Sequence, residues 1–203
     1  ANGDQFGFAL AVGGDMSDDD ADDLLIGSPF EDVLVGSTTF VDAGAVTVLF
    51  GTNDQGITTF HSETYYQDDF ALGENSEHDD SFGWSIAVAD FSGDGWVDVA
   101  IGAPDEDVVD PATFQTWARA GAVTVVQGGP SGLRPETARL LAQEWWSHRG
   151  ELAVNDAYGK ALVAGDFDGD TRADLIARDS SGRLWLYPGN GSGGLLARKQ
   201  IGS

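Results

Sequence analysis

The chain has 203 residues, 41% of them hydrophobic and 10% aromatic, enough for a buried core, and it contains no run of about 18 apolar residues of the kind a membrane-spanning helix needs. Ten basic residues against 34 acidic ones give a net charge of −24, a surface that repels phosphate backbones and anionic lipids and so excludes nucleic acid as a default partner. Cysteine is absent, which rules out disulfide staples and metal–thiolate sites and leaves the compartment open.

The first landmark in chain order is Phe6-Gly7. It is followed by the acidic loop Asp15-Met-Ser17-Asp-Asp19-Asp-Ala21-Asp-Asp23, the apolar run Leu24-Leu25-Ile26, the turn Gly27-Ser28-Pro29 and the pair Glu31-Asp32. Next come Ala43-Gly-Ala-Val-Thr-Val48 and Leu49-Phe50, a β-branched run stopped by glycine, as a strand in a sandwich, barrel or propeller would be.

The same order of landmarks then begins again at Phe82-Gly83. The loop Asp90-Phe-Ser92-Gly-Asp94-Gly-Trp96-Val-Asp98 precedes Val99-Ala100-Ile101, Gly102-Ala103-Pro104, Glu106-Asp107 and Ala120-Gly-Ala-Val-Thr-Val125. Pro135 to Trp146 has the proline start and the Leu, Ala, Gln and Glu content of a helix. Alignment of residues 132–159 on 56–83 instead sets Leu140-Leu-Ala-Gln143 against Thr64-Tyr-Tyr-Gln67, and Thr/Tyr-rich sequence predicts a strand. A third, shorter copy opens at Tyr158-Gly159 and runs through Asp166-Phe-Asp168-Gly-Asp170-Thr-Arg172-Ala-Asp174, Leu175-Ile-Ala177 and Leu184-Trp-Leu-Tyr187. The openings at 6, 82 and 158 stand at a constant spacing of 76 residues, the signature of a repeat array in which each unit buries its apolar face on its neighbour. The predicted units are 1–81, 82–157 and 158–203.

Each acidic loop places side-chain oxygens at positions 1, 3, 5 and 9: Asp15, Ser17, Asp19 and Asp23; Asp90, Ser92, Asp94 and Asp98; Asp166, Asp168, Asp170 and Asp174. Alternating oxygens in a tight loop wrap a hard cation, and calcium takes about 6–8 of them at about 2.3–2.6 Å. The carbonyls of Ala21, Trp96 and Arg172 at position 7 complete the expected sets. The loops begin like EF-hands but end on an acid at position 9 with no Glu at position 12, so they are not EF-hands. A solvated Asp/Gly turn is the competing reading for any one of them. Three copies followed by apolar runs at one offset favour calcium. The first copy lacks the turn glycines of the others, and Asp18, Asp20 and Asp22 are extra carboxylates there.

The Phe-Gly and Gly-Ala-Pro pairs with a DxSxDGxxD loop between them resemble FG-GAP repeats, the units of the integrin α-subunit β-propeller and of many bacterial extracellular proteins. The third copy has Ala177-Arg178-Asp179 in place of Gly-Ala-Pro and is similar to the shorter VCBS-type repeats. The resemblance implies an all-β fold of propeller blades with about four antiparallel strands each, Ca2+ as the bound ion, and a secreted or cell-surface location. The start at Ala1 fits removal of a signal peptide and equally fits trimming. Propellers close with about 4–8 blades. Three blades therefore imply a fragment, a cut product, or an assembly that closes by self-association or with blades of another chain.

No mechanism-bearing motif is present: no Gly-x-Ser-x-Gly elbow, no His-Glu-x-x-His, no phosphate loop, and a single Ser147-His148 neighbourhood among three histidines. The expectation is a non-enzymatic module. Trp84 and Trp185 are expected between blades, Trp96 as a shield on its loop, and Trp117, Trp145 and Trp146 as candidates for a rim that binds a protein or a glycan. Two functions follow. One is a calcium-stiffened extracellular adhesion or interaction module; the other is a non-catalytic accessory region of a larger secreted hydrolase.

Overall fold

The computed structural model describes residues 3–54, 56–70, 72, 75–110, 113–143, 152–191 and 194–202. They form three four-stranded antiparallel sheets with no α-helix among them, and no helix long and apolar enough to cross a membrane. The first blade comprises β1 (Ala9–Gly14), β2 (Asp23–Ser28), a ribbon of β3 (Val33–Val35) and β4 (Thr38–Phe40), then β5 (Ala45–Leu49) and β6 (Ser62–Tyr65). Its sheet order is β1-β2-β5-β6. A 3-10 turn at Gln67–Asp69 leads out of it.

The second blade repeats the plan with β7 (Ser85–Ala89), β8 (Asp98–Ala103), a ribbon of β9 (Val108–Val109) and β10 (Thr116–Trp117), β11 (Ala122–Gly129) and β12 (Gly132–Leu141). The third has β13 (Ala161–Gly165), β14 (Asp174–Arg178), β15 (Leu184–Tyr187) and β16 (Lys199–Gly202), with no ribbon. β12 settles the choice between helix and strand for residues 132–141. It is an edge strand, and its register jumps from Arg139 opposite Val125 to Arg134 opposite Gln127. That bulge absorbs Pro135, which has no N–H to give a ladder. Thr137 patches it, accepting the Gln127 N–H at 3.0 Å and donating to the Arg134 carbonyl at 2.7 Å.

Alternation along the strands gives each sheet two apolar faces, and the core lies between blades. Leu25, Val46 and Val48 of the first blade meet Val99, Ile101 and Val126 of the second. Ala87, Ala100 and Val123 of the second meet Leu175, Ala177 and Trp185 of the third. The aromatic ring of each internal opening is driven into these seams: Phe82 and Tyr158 are fully buried, and a buried ring of this size is worth about 1.5–3 kcal/mol. The Tyr158 hydroxyl donates to that of Tyr187.

The connection into each new blade is threaded along the blade before it. Asp79, Ser81 and Phe82 donate their N–H groups to Val41, Asp42 and Ala43 at 2.9, 3.2 and 2.9 Å. One repeat later Asn155, Ala157 and Tyr158 donate to Ala118, Arg119 and Ala120 at 3.0, 3.1 and 2.9 Å.

Candidate metal centres

The three acidic loops are the β1–β2, β7–β8 and β13–β14 connections, all at the same end of their sheets. Their backbones are alike. Positions 4 and 6 are left-handed in every copy: Asp18 and Asp20 (φ 61° and 67°), Gly93 and Gly95 (74° and 90°), Gly169 and Thr171 (81° and 71°). Aspartate tolerates that region better than most residues, so the first loop makes the same turns without glycine. Thr171, β-branched, is the strained member.

The carboxylates at positions 1 and 5 fix this shape through backbone N–H groups. Asp19, Asp94 and Asp170 accept from the residues two further on, Ala21, Trp96 and Arg172, at 3.0, 2.9 and 2.9 Å. Asp15 accepts from Ser17, Asp19 and Asp20, Asp90 from Gly93, Asp94 and Gly95, and Asp166 from Gly169 and Thr171. Desolvation raises the Asp15 carboxyl, but the N–H groups of Asp19, Asp20, Ser17 and Asp18 outweigh it and hold it below the usual range.

Position 9 is different in kind. Asp23, Asp98 and Asp174 are buried, and each clamps two chain segments. One oxygen accepts from the loop, from Met16 (2.7 Å), Ser92 (2.8 Å) or Phe167 (2.8 Å). The other accepts from a glycine at or just beyond the end of the third sheet strand, Gly51 (2.7 Å), Gly128 (3.1 Å) or Gly189 (2.9 Å). Only glycine fits there, because a Cβ would lie 2.4, 2.1 and 2.2 Å from the carbonyl oxygens of Asp22, Val97 and Ala173. Burial pushes Asp98 up to about 6, against the Gly128 and Ser92 N–H groups and helped by Asp90 and Asp94 nearby.

Asp166, Asp168 and Asp174 bring one carboxylate oxygen each within 4.8 Å of one another, and they are the cluster of this kind among the described residues. Three carboxylates so close repel one another unless a proton or a cation lies between them, so the donor set fits a hard divalent ion. In the first loop the Ser17 hydroxyl is buried with no hydrogen-bond partner, an orphaned oxygen at position 3 that also fits one. In the second loop the Ser92 hydroxyl donates to Asp90 at 3.2 Å. Position 5 is turned toward arginine in two copies: Asp94 lies 3.6 Å from Arg134, and Asp170 lies 3.4 Å from Arg172. Both pairs are half-exposed.

The antiparallel order sets the ribbons at the opposite end of the sheets from the loops, because β2 and β8 begin at a loop and end toward a ribbon. Trp117, on a ribbon, is only partly exposed and packs beside Val108, Ala120 and Leu140. The exposed ring of that ribbon is Phe114, 82% exposed with φ 57°, which the sequence reading did not single out. Trp145, Trp146, Ser147 and His148 lie outside the described residues. Trp185 is buried between blades two and three, and Trp84 lies against Phe8 and Phe30 of the first blade, with centroids at 4.7 and 6.0 Å. Trp96 is partly exposed on its loop.

The true neighbour of the first loop is the β5–β6 connection. Asn53 donates its side-chain amide to the Asp19 carbonyl, and an open depression of about 530 Å³ lies between Asp19, Asp54, Phe60 and His61. Sequence gave little warning of this, since the contact joins segments over 30 residues apart.

Residues 82–126 match the family model of the FG-GAP repeat. The chain is 30% identical over 173 residues to integrin alpha-5 of Xenopus laevis, an alignment covering 84% of this chain and 14% of that protein. It is 28% identical over 195 residues to integrin alpha-PS2 of Drosophila melanogaster, covering 91% and 12%. It is 31% identical over 147 residues to human phosphatidylinositol-glycan-specific phospholipase D, covering 72% and 15%. The chain thus spans between 12% and 15% of the length of these relatives.

Proposed function

We propose that this chain, an FG-GAP repeat protein of integrin-like β-propeller architecture, is a calcium-binding interaction module that works outside the cell and performs no catalysis of its own. The observation that carries the reading is the cluster of Asp166, Asp168 and Asp174, on a loop whose backbone turns recur in the first two repeats. Asp15, Ser17, Asp19 and Asp23, and Asp90, Ser92, Asp94 and Asp98, are the corresponding donors there, with the carbonyls of Ala21, Trp96 and Arg172 at position 7. A bound calcium ion supplies positive charge to each loop and relieves the repulsion among its carboxylates. The chain's own part is to hold the oxygens ready: Asp23, Asp98 and Asp174 tie each loop to the end of a neighbouring strand, so order in the loop is order in the blade. Millimolar extracellular calcium suits weak loops of this kind, which supports a secreted or surface setting.

The surface offered to a protein or glycan ligand is then the array of connections, with the β5–β6 connection beside the first loop and the ribbons at the far end. Similarity to the phospholipase D favours a second reading, in which the repeats accompany a hydrolase as a non-catalytic accessory region.

The test is thermal melting in calcium and in excess chelator. A site occupied at one hundred times Kd stabilises the fold by about 2.7 kcal/mol. The melting temperature is expected to fall on chelation, and an unchanged melt would refute the reading.

A further inference from the structure

The carboxylate at position 5 of each acidic loop uses its two oxygens differently. In the second loop Asp94 Oδ1 accepts the Trp96 N–H at 2.9 Å and serves the shape of the loop. Its Oδ2, the oxygen left for an ion, lies 3.6 Å from Nη2 of Arg134. In the third loop Asp170 Oδ2 meets Arg172 at 3.4 Å, but that arginine belongs to the loop itself, two residues on. In the first loop no arginine or lysine lies within 4 Å of Asp19 among the described residues.

Arg134 is held from outside its loop. It stands on β12 directly opposite Gln127, whose side-chain carbonyl accepts from Nη2 at 2.9 Å. Gly129, two residues beyond Gln127, leaves room for it: a Cβ there would lie 3.0 Å from Arg134 Cδ and 3.4 Å from its Cγ and Nε. Between them Gly128 donates its N–H to Asp98, the position 9 carboxylate of the same loop. Three successive residues at the end of β11 therefore fix both the buried end of the loop and the cation that faces its open ligand. The Arg134 Nε is buried with no hydrogen-bond partner, so part of the guanidinium is out of water and its attraction to Asp94 is screened less than that of a fully exposed pair. The other blades lack the device. The residue before the clamping glycine is Phe50 in the first and Pro188 in the third, neither with a side-chain acceptor.

We propose that Arg134 is a tethered counter-cation that occupies Asp94 in the ion-free loop and competes with calcium for it, holding the second loop at a weaker affinity than its own oxygens would give. Calcium and the guanidinium both need Asp94 Oδ2, and a dication bound beside a fixed positive charge is also repelled by it. When calcium takes the carboxylate, Gln127 still holds the guanidinium, so the opposing charge stays beside the ion. The second loop then fills over a higher range of calcium concentration than it would without Arg134. The inference rests on calcium binding as proposed above and adds to it a side chain that lies outside the loop pattern.

The second loop is isolated in the full chain by Asp19→Ala and Asp168→Ala, which disable the first and third loops. Melting temperature against calcium concentration gives Kd for this parent and for the parent carrying Arg134→Gln, Arg134→Lys or Arg119→Gln. The last removes an equal charge from an exposed residue just after β10, at the opposite end of the sheet. Arg134→Gln is expected to bind calcium about three- to tenfold more tightly than the parent. Arg134→Lys, which keeps the charge, is expected nearer the parent than Arg134→Gln, and Arg119→Gln within about twofold of the parent, because its charge is screened over that distance. The direction separates competition from a structural role, since losing a residue that merely braces the loop would weaken calcium binding. The inference is overturned if Arg134→Gln binds no more tightly than the parent, or if Arg134→Lys or Arg119→Gln gains as much. Should Arg134→Gln not fold, Gln127→Ala removes only the tether and is read in its place: a gain in affinity is expected, and its absence overturns the inference. A wild type that binds calcium beside a parent that does not also overturns it, because the second loop then takes no ion. A wild type that binds none refutes the calcium reading itself, and the inference with it.

Discussion

The side-chain amide of Gln143, at the end of the second blade, donates to Asp179 of the third at 2.9 Å, and Gln67 makes the same reach from the first blade to Glu106 of the second. All four side chains are buried. Each seam therefore contains a polar latch inside its apolar core, and the two latches stand one repeat apart at the glutamine. A buried amide to a carboxylate is among the stronger hydrogen bonds, and removing the donor leaves charge under-satisfied.

Gln143→Leu is accordingly expected to destabilise the chain by about 1–3 kcal/mol. Asp179 keeps the Ser181 hydroxyl at 2.7 Å and bonds from Arg183 and Trp185, so the loss stays within that range. Denaturant unfolding checks it. A change below about 0.3 kcal/mol would mean the seam is held by apolar packing alone.

Gly102→Ala tests a close approach between the second and third blades, where a Cβ on residue 102 would lie 2.1 Å from the Gly159 carbonyl oxygen. The new methyl has no space against the Gly159 carbonyl, and overpacking against backbone that cannot give is expected to cost about 3 kcal/mol or more. Gly36→Ala is the comparison. Its φ is 62° but nothing lies within 4 Å, so its cost is that of a left-handed alanine, roughly 1–2 kcal/mol. Equal losses in a thermal melt would remove the seam from the explanation.

The repeat spacing made the blades readable in advance, because a period of 76 residues aligned weak strand signals on strong ones and turned the helix-like residues 135–141 into part of β12. What it did not reveal lies in contacts between distant segments. The glycines 51, 128 and 189 that clamp position 9, the glutamine latches, and the burial of Asp80 one repeat before Asp156 are set by tertiary approach, to which local propensity is blind. The ribbons β3–β4 and β9–β10 went unread because pairs of two to three residues carry almost no periodicity. In the first loop the missing glycines suggested a departure, and the left-handed aspartates 18 and 20 show why none was needed.

Asp80 gives the fold a pH dependence. It is 1% exposed, and burial, with Glu77, Asp107 and Asp79 nearby, pushes its carboxyl up to about 7. Because the folded state holds this proton more tightly than the unfolded chain does, the stabilisation is complete below the ordinary value of 3.8 and is lost as pH rises through the raised one. The slope from one proton is at most about 1.4 kcal/mol per pH unit. Asp80→Asn keeps an acceptor for the Glu77 N–H and is expected to flatten the decline between about pH 4 and 7 when melts are run in chelator. Parallel wild-type and variant curves would contradict the assignment.

Thr171→Gly is expected to stabilise the metal-free chain by about 0.5–1 kcal/mol, since a left-handed β-branched residue costs more than the entropy that glycine adds to the unfolded chain. The φ of 71° is the observation behind it. A lower melting temperature for the variant would show that the threonine side chain makes contacts that outweigh its strain.

Calcium stoichiometry is the most direct measure of the central claim. Isothermal titration of chelator-stripped protein compares wild type with Asp94→Ala, Asp168→Ala and Asp54→Ala. Asp94 and Asp168 belong to the second and third loops, and removal of one hard-oxygen donor weakens a shell that needs about 6–8. Asp54 lies outside all three loops. The account predicts two or three sites in wild type, one fewer in each loop variant, and no loss in Asp54→Ala. No heat of binding in wild type, or equal losses in all three variants, would contradict it, the second result showing that the overall negative charge rather than these loops gathers the ions.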